Sequence, residues 1–202
     1  MSPVTQKPTL TKKGLATRQR IIEGAAAEIR AHGVPVFTLD ALMARTSTSK
    51  SQLFHYFPNG KEQLLLAVAE REAMLVLSDQ QPYLGELTSW AAWQRRRDVV
   101  VDRYRRQGQN CPLSLLMSEI GRTTAGAQAV STALMRQWHG EIATGIREMK
   151  RQQKIAEQVD ADAAARALLA GIQGGVSVLL ATGELSYLED ALDVGIAALR
   201  VA

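Results

Sequence analysis

Five consecutive residues, Thr48-Ser49-Lys50-Ser51-Gln52, combine small side chains with hydrogen-bonding ends. Such a set at the start of a short helix suits the major groove of a duplex, where small polar residues come close enough to touch base edges. There the Gln52 amide can read adenine, Lys50 can reach a guanine or a phosphate, and Thr48 can touch a thymine methyl. His55, Tyr56 and Lys61 follow at the far end, placed to donate to phosphates. Ser49 and Thr38, at the starts of helices, add backbone N–H groups that favour phosphate. Enzymatic chemistry finds no comparable set. There are no paired carboxylates beside a nucleophile and no Gly-rich phosphate loop, and His32, His55 and His139 lack metal-ligand spacing. The expectation is a binding protein with no catalytic residues, no cofactor and no metal.

These residues need short helices to present them, and the local pattern supplies three. Ile22, Ala25, Ala26 and Ile29 form an apolar stripe of helical period, with Thr17 as the expected N-cap and Gly33 and Pro35 as the stop. Thr38 caps a second helix whose Leu39, Leu42 and Met43 turn inward. Arg45 to Thr48 breaks the pattern, because small hydroxyl residues favour turns and caps over helix interiors. Ser49 to Phe57 reads as the third helix, anchored by Leu53 and Phe57 and closed by Pro58-Asn59-Gly60. Three helices joined by short turns make a helix-turn-helix unit. A fourth helix runs from about Lys61 to Leu77. Pro82 and Gly85 mark a break, and further helices fall near 87–107, 113–121, 125–152, 160–182 and 186–200. No strand-like alternation persists. The fold class is all-α: an N-terminal three-helix helix-turn-helix domain and a C-terminal helical bundle, about nine helices together. The expected organisation is a flexible basic arm over 1–14, a DNA-binding domain over 15–77, and a ligand-binding and dimerisation domain over 78–202.

Charge is distributed unevenly. Residues 1–61 hold nine Lys and Arg against three Asp and Glu, a balance of +6, while 62–202 hold fifteen against seventeen. A basic small unit joined to a slightly acidic larger one favours contact with a polyanion at the N-terminal end, or else a solvated surface charged by chance. A single cysteine, Cys111, excludes an intrachain disulfide and fits a reducing cytoplasm. It reads as a small packed hydrophobe more readily than as a redox sensor. The N-terminus has no signal pattern, and the apolar run Ala167–Thr182 is short and holds Gln173 and three glycines, so it is expected to be a buried helix and not a membrane span.

Three segments together carry a family likeness. Thr17-Arg-Gln-Arg-Ile-Ile-Glu-Gly-Ala-Ala, Phe37-Thr-Leu-Asp-Ala-Leu-Met-Ala and Thr48-Ser-Lys-Ser-Gln-Leu-Phe-His-Tyr-Phe-Pro-Asn-Gly-Lys-Glu-Gln-Leu resemble, in order and spacing over about 55 residues, the N-terminal domain of TetR-type repressors. The resemblance implies a homodimer, a palindromic double-stranded operator, and release from DNA when a small molecule enters the C-terminal domain. Ser47 stands where the family usually has glycine, and Phe54 where it usually has a tyrosine whose hydroxyl meets DNA. The glycine in Phe57-Pro-Asn-Gly-Lys61, with Asn110-Cys-Pro-Leu113 ahead of Glu119, resembles the YxaF/LmrA-type subgroup. That likeness implies an apolar or aromatic effector.

The C-terminal half offers two further sets. Trp90, Trp93, Met117, Met135, Trp138, Ile142 and Gln173 are the candidates for lining an effector pocket, since aromatics and Met make an adaptable apolar wall and Gln173 adds a polar handle. They read equally as plain core. Arg97 shares a face with Trp90, Trp93 and Val101 and can meet an anionic effector or Glu119, or can snorkel. Ala163, Ala167, Gly171 and Gly175 recur every fourth residue, which suits close helix approach. With Leu188, Leu192, Ile196 and Leu199 on the final helix they predict a four-helix interface between two copies, against the alternative of close packing inside one subunit.

Overall fold

The computed structural model describes residues 10–80, 86–107 and 125–201, and among them every regular element is a helix. These are α1 (Lys12–His32), α2 (Leu39–Thr46), α3 (Lys50–Tyr56), α4 (Gly60–Gln80), α5 (Trp90–Gln107), α6 (Ala125–Arg151), α7 (Ala161–Thr182) and α8 (Ser186–Val201). The expected helix over 113–121 lies outside the described residues, with Met117, Cys111 and Glu119, and so do residues 1–9. The chain divides into two compact units between Arg71 and Glu72, and α4 runs through the division.

Helix α1 begins five residues before the expected cap. Thr11, extended at φ −65° and ψ 162°, accepts from the Gly14 N–H at 3.2 Å, so Lys12 to Gly14 are helix. Thr17 lies inside the helix and its hydroxyl donates to the Lys13 carbonyl at 3.0 Å. Lysines are good helix formers, so the earlier threonine wins the cap. The far end stops at Gly33 as the sequence predicts, its N–H donating to Ile29 at 2.9 Å. The first unit's core is made by Ile21, Ile22, Ala25, Ala26 and Ile29 of α1 with Leu42, Leu53, Phe57, Leu64 and Val68. Gly24 lets α2 settle on α1: a Cβ there would stand 2.2 Å from the Thr46 methyl and 3.3 Å from Leu42. Arg45 crosses to Glu28 at 2.7 Å and ties the same two helices at the surface.

In the second unit α5, α6, α7 and α8 share one apolar cluster, including Trp93, Val101, Trp138, Ile142, Ile146, Leu168, Ile172, Val176, Leu188, Leu192 and Ile196. Asp160 caps α7 as predicted, its carboxylate accepting from Asp162 at 2.9 Å and Ala163 at 3.1 Å. By length and composition alone α7 is apolar enough to cross a membrane; here Leu168, Ile172, Val176 and Leu179 of that helix are buried in the bundle. Helix α5 is bound to α8 by a two-pronged contact from Arg97 to Asp193, 2.8 Å on each prong, and by Arg105 to Glu189 at 3.0 Å.

Candidate nucleic-acid interface

The turn before α3 is built from four residues with separate duties. Ser47 takes the left-handed conformation, φ 49° and ψ 45°, which an L side chain adopts at a cost of about 1 kcal/mol. Its N–H and that of Thr48 close the end of α2 on Ala44 and Met43. Thr46 and Thr48 are both buried, and their hydroxyls bond each other at 2.8 Å. Thr46 also donates to Leu42 at 2.8 Å. This corrects the expectation for Thr48: a side chain 5% exposed and spent on the turn does not reach a thymine methyl. Ser49 opens α3 with a reciprocal cap. It accepts from the Gln52 N–H at 3.2 Å, and the Gln52 amide oxygen accepts from the Ser49 N–H at 3.3 Å.

What remains outward on α3 is Lys50, Ser51, Gln52, Phe54 and His55, while Leu53 and Phe57 are fully buried. The half-buried Tyr56 meets His55 edge-on at 4.9 Å and brings its hydroxyl within 3.5 Å of a Cβ position on Gly14. Thr38 is exposed and caps α2, accepting from Ala41 at 3.2 Å. Lys61 departs from its expected role in part. It is half-buried and its ammonium donates to the Phe37 carbonyl at 2.6 Å, 5.4 Å from the Phe37 ring centre. It braces the segment before α2, and an ammonium has two more protons to give. Lys50, Ser51, Gln52 and His55 therefore form a continuous exposed face of small, polar and basic groups on a helix held by two buried anchors.

The second unit separates the expected pocket residues. Trp93, Trp138 and Ile142 are interior. Trp90 is half-buried under the Arg200 guanidinium, 4.6 Å from its ring centre. Met135 and Gln173 instead share an open groove of about 510 Å³ between α6 and α7, with His139, Arg136, Arg166 and Leu169. Arg97 is not turned to a ligand, since Asp193 takes both of its prongs.

Comparison with known proteins resolves what such a face belongs to. Residues 21–68 match the bacterial regulatory proteins of the tetR family, and residues 90–194 match the tetracyclin repressor-like C-terminal domain. The chain belongs to the TetR family. A 77-residue stretch is 42% identical to the uncharacterized HTH-type transcriptional regulator TtgW of Pseudomonas putida. That match takes in 38% of this TetR-family chain and 56% of TtgW, so the chain spans little more than half of its curated relative. Among solved structures, a TetR-family regulator from Cytophaga hutchinsonii aligns with a TM-score of 0.80 at 20% identity, over 96% of this chain and 100% of that one. SmeT, the repressor of the Stenotrophomonas maltophilia multidrug efflux pump SmeDEF, aligns at 0.70 and 23%, over 93% and 92%. SmeT in complex with triclosan gives the same score and identity, over 91% of each chain. At these identities the likeness is one of fold.

In this TetR-family chain the expected dimer residues turn out to face two ways. Gly175 is buried inside the subunit, where a Cβ would meet the Leu188 Cα at 2.7 Å and the Tyr187 carbonyl at 2.9 Å. Leu188, Leu192 and Ile196 are core residues, none more than 6% exposed. These four are therefore corrected to packing of α7 on α8 within one chain. Gly171 is half-buried, its Cβ position 3.7 Å from Ala191, and Ala167 is exposed. The outward side of the same helices carries Ala163, Ala167, Ala170, Gly174 and Ser177 on α7, with Tyr187 and Val194 on α8. Val194 is 69% exposed. The signal for that second stripe is present in the sequence as a heptad of small residues, one position away from Gly171 and Gly175.

Proposed function

We propose that this chain is a cytoplasmic, dimeric repressor that holds a palindromic DNA operator and releases it on binding a small apolar or aromatic effector. The observation that carries this is the outward face of α3: Lys50, Ser51, Gln52 and His55 exposed on a helix whose Leu53 and Phe57 are fixed inside. A helix so anchored enters the major groove without rearranging its own core. Thr38 offers its backbone N–H to phosphate, whereas that of Ser49 is held by Gln52 in the cap; Lys61 keeps two protons for the same use, and Tyr56 stands beside the start of α1. The DNA-binding domain is read as 15–77 and the effector and dimer domain as 78–202.

The dimer face is read as the exposed side of α7 and α8, where small residues permit close approach of a partner copy. Two α3 helices then meet successive major grooves about 34 Å apart. The effector shifts the protein toward a state whose helices no longer match that spacing. SmeT, similar in fold, is a repressor with a triclosan complex, which supports an aromatic effector. The glycine of Phe57-Pro-Asn-Gly-Lys61 keeps the YxaF/LmrA-type subgroup as the finer reading, and Gly60 closes that turn with its N–H on Phe57 at 2.8 Å.

The test is selection of bound duplexes from a random DNA pool by the full chain, with the mass of the complex measured in solution. A palindromic motif bound by two chains is the expected result. Recovery of no motif, or a motif without symmetry bound by one chain, defeats the reading.

A further inference from the structure

Helices α6 and α7 each turn one stripe of side chains into the groove of about 510 Å³. Arg166, Leu169, Ala170 and Gln173 follow the i, i+3, i+4, i+7 spacing of a single face of α7. Helix α6 opposes them with Met135, Arg136 and His139. The floor is apolar: Leu169 is buried and Met135 half-buried. Each wall carries one exposed guanidinium, and among the described residues that line the groove none is acidic.

The acids nearby are already engaged. Asp162 takes Arg147 at 2.5 Å and His139 at 3.5 Å. Asp160 spends its carboxylate on the cap of α7, and Arg166 adds only a charge attraction to it. Arg136 also borders the neighbouring cleft of about 550 Å³, where Glu141 accepts from Gln137 at 3.0 Å and Glu148 from Arg151 at 2.5 Å. Among the described residues neither Arg136 nor Arg166 is hydrogen-bonded to a carboxylate.

Two cations beside an apolar floor select a guest by charge and by shape together. A ring or short chain lying on Met135 and Leu169 takes their apolar surface out of water. A planar carboxylate at its end receives forked, charge-assisted bonds from a guanidinium. A neutral guest gains the first and forgoes the second, and a cation is repelled from both walls. Ala170 belongs also to the small-residue stripe read as the dimer face, so an occupant of the groove and a partner copy are neighbours.

We propose that this groove binds a small organic carboxylate with an apolar body. This rests on the effector-released reading above and supplies its site and ligand class.

The chain has six methionines, whose methyl signals report where a ring settles. Signals of the full chain, labelled with ¹³C at the methionine methyls, are assigned with Met135→Leu and Met149→Leu. They are then followed during titration with 2-naphthoate and with 2-naphthamide, its neutral counterpart. The expected result is a ring-current shift of Met135 with 2-naphthoate and none at the core residue Met149. Affinity should be about tenfold lower for the amide, a modest ratio because exposed guanidiniums are screened by water. Arg136→Gln combined with Arg166→Gln should remove that preference, and both side chains are exposed, so folding is kept. Should the double variant fail to fold, the two-compound comparison on the unaltered chain still decides. Equal binding of both compounds, no shift at Met135, or a preference that survives the double variant overturns the proposal. A groove that binds neither compound, in a protein whose double variant sediments as single chains, belongs to a second copy, which overturns it as well. The same samples are run on a duplex selected as above. DNA release without the Met135 shift overturns the groove site and spares the effector reading, whereas the shift without release upholds carboxylate binding here and defeats release by this ligand class.

Discussion

At the scale of single residues, the turn into α3 concentrates the consequences. Ser47 holds a left-handed backbone without being glycine, so Ser47→Gly should stabilise the first unit by about 1 kcal/mol. Urea unfolding measures this, and an unchanged midpoint would mean that the serine side chain repays its strain. Gln52 spends its amide oxygen on the Ser49 N–H, which leaves the NH₂ facing out. While that cap holds, one lone pair of the Gln52 oxygen is taken and the oxygen is turned toward the backbone, so the outward NH₂ favours guanine or thymine acceptors over the two-pronged grip on adenine. Gln52→Glu keeps the cap and removes the donor, so duplex selection should move one operator position per half-site toward cytosine, while Gln52→Ala should lose preference there. An identical motif from all three proteins would take base reading away from residue 52. Chemistry at these positions is legible in the sequence only as far as residue type. Serine, lysine and glutamine read as groove residues, but nothing in one sequence says that Thr48 turns inward to bond Thr46, or that Lys61 settles on the Phe37 carbonyl. Both outcomes depend on which backbone groups the turn leaves unpaired.

Among the elements, close approach of helices decides more than propensity does. Gly24→Ala should gain about 1 kcal/mol in helix propensity. The new Cβ would meet the Thr46 methyl at 2.2 Å, and Thr46 is locked by bonds to Leu42 and Thr48. Overpacking of that kind costs about 1–3 kcal/mol, so net destabilisation is expected, and a variant as stable as the parent would show that α2 can step away. Gly175→Leu should disrupt α7 on α8 inside each subunit and lower the melting temperature even where chains are too dilute to associate. The contact between α5 and α8 carries a pH signature. Hydrogen bonds from Arg97 hold the Asp193 carboxyl below its ordinary value of 3.8. A depressed carboxylate contributes its stability above that value and loses it as pH falls through the folded one. Asp193→Asn should therefore cost about 0.5–1 kcal/mol near neutral pH, a modest figure because the pair is partly exposed. The difference should shrink in strong acid, and a cost independent of pH would remove the ion pair as its source. Helix positions are largely readable from period and punctuation, as at Gly33, Thr38, Ser49 and Asp160. Facing is less so, because α8 bears apolar residues on two sides and period alone does not say which side meets its own chain.

For the whole molecule, the outer side of α7 and α8 is where assembly can be tested. Val194→Glu places a charge on an exposed residue outside the core, so it should leave folding intact and shift the protein toward single chains by sedimentation. A variant that still sediments as a dimer would put the interface elsewhere. Neutralising Lys50 should weaken binding to every duplex alike and flatten the salt dependence by about one ion; an unaltered slope would exclude a phosphate contact there. Pro82 and Gly85 point to a two-unit division, yet the compact units part within α4, because a helix that contributes side chains to two cores leaves no compositional mark at the crossing. The backbone ladder of α4 continues through that crossing, and 21 residues make a rod about 30 Å long. An unbroken ladder leaves the N–H and carbonyl groups of its middle turns satisfied within the helix itself, so a proline introduced there would cost about 3 kcal/mol or more.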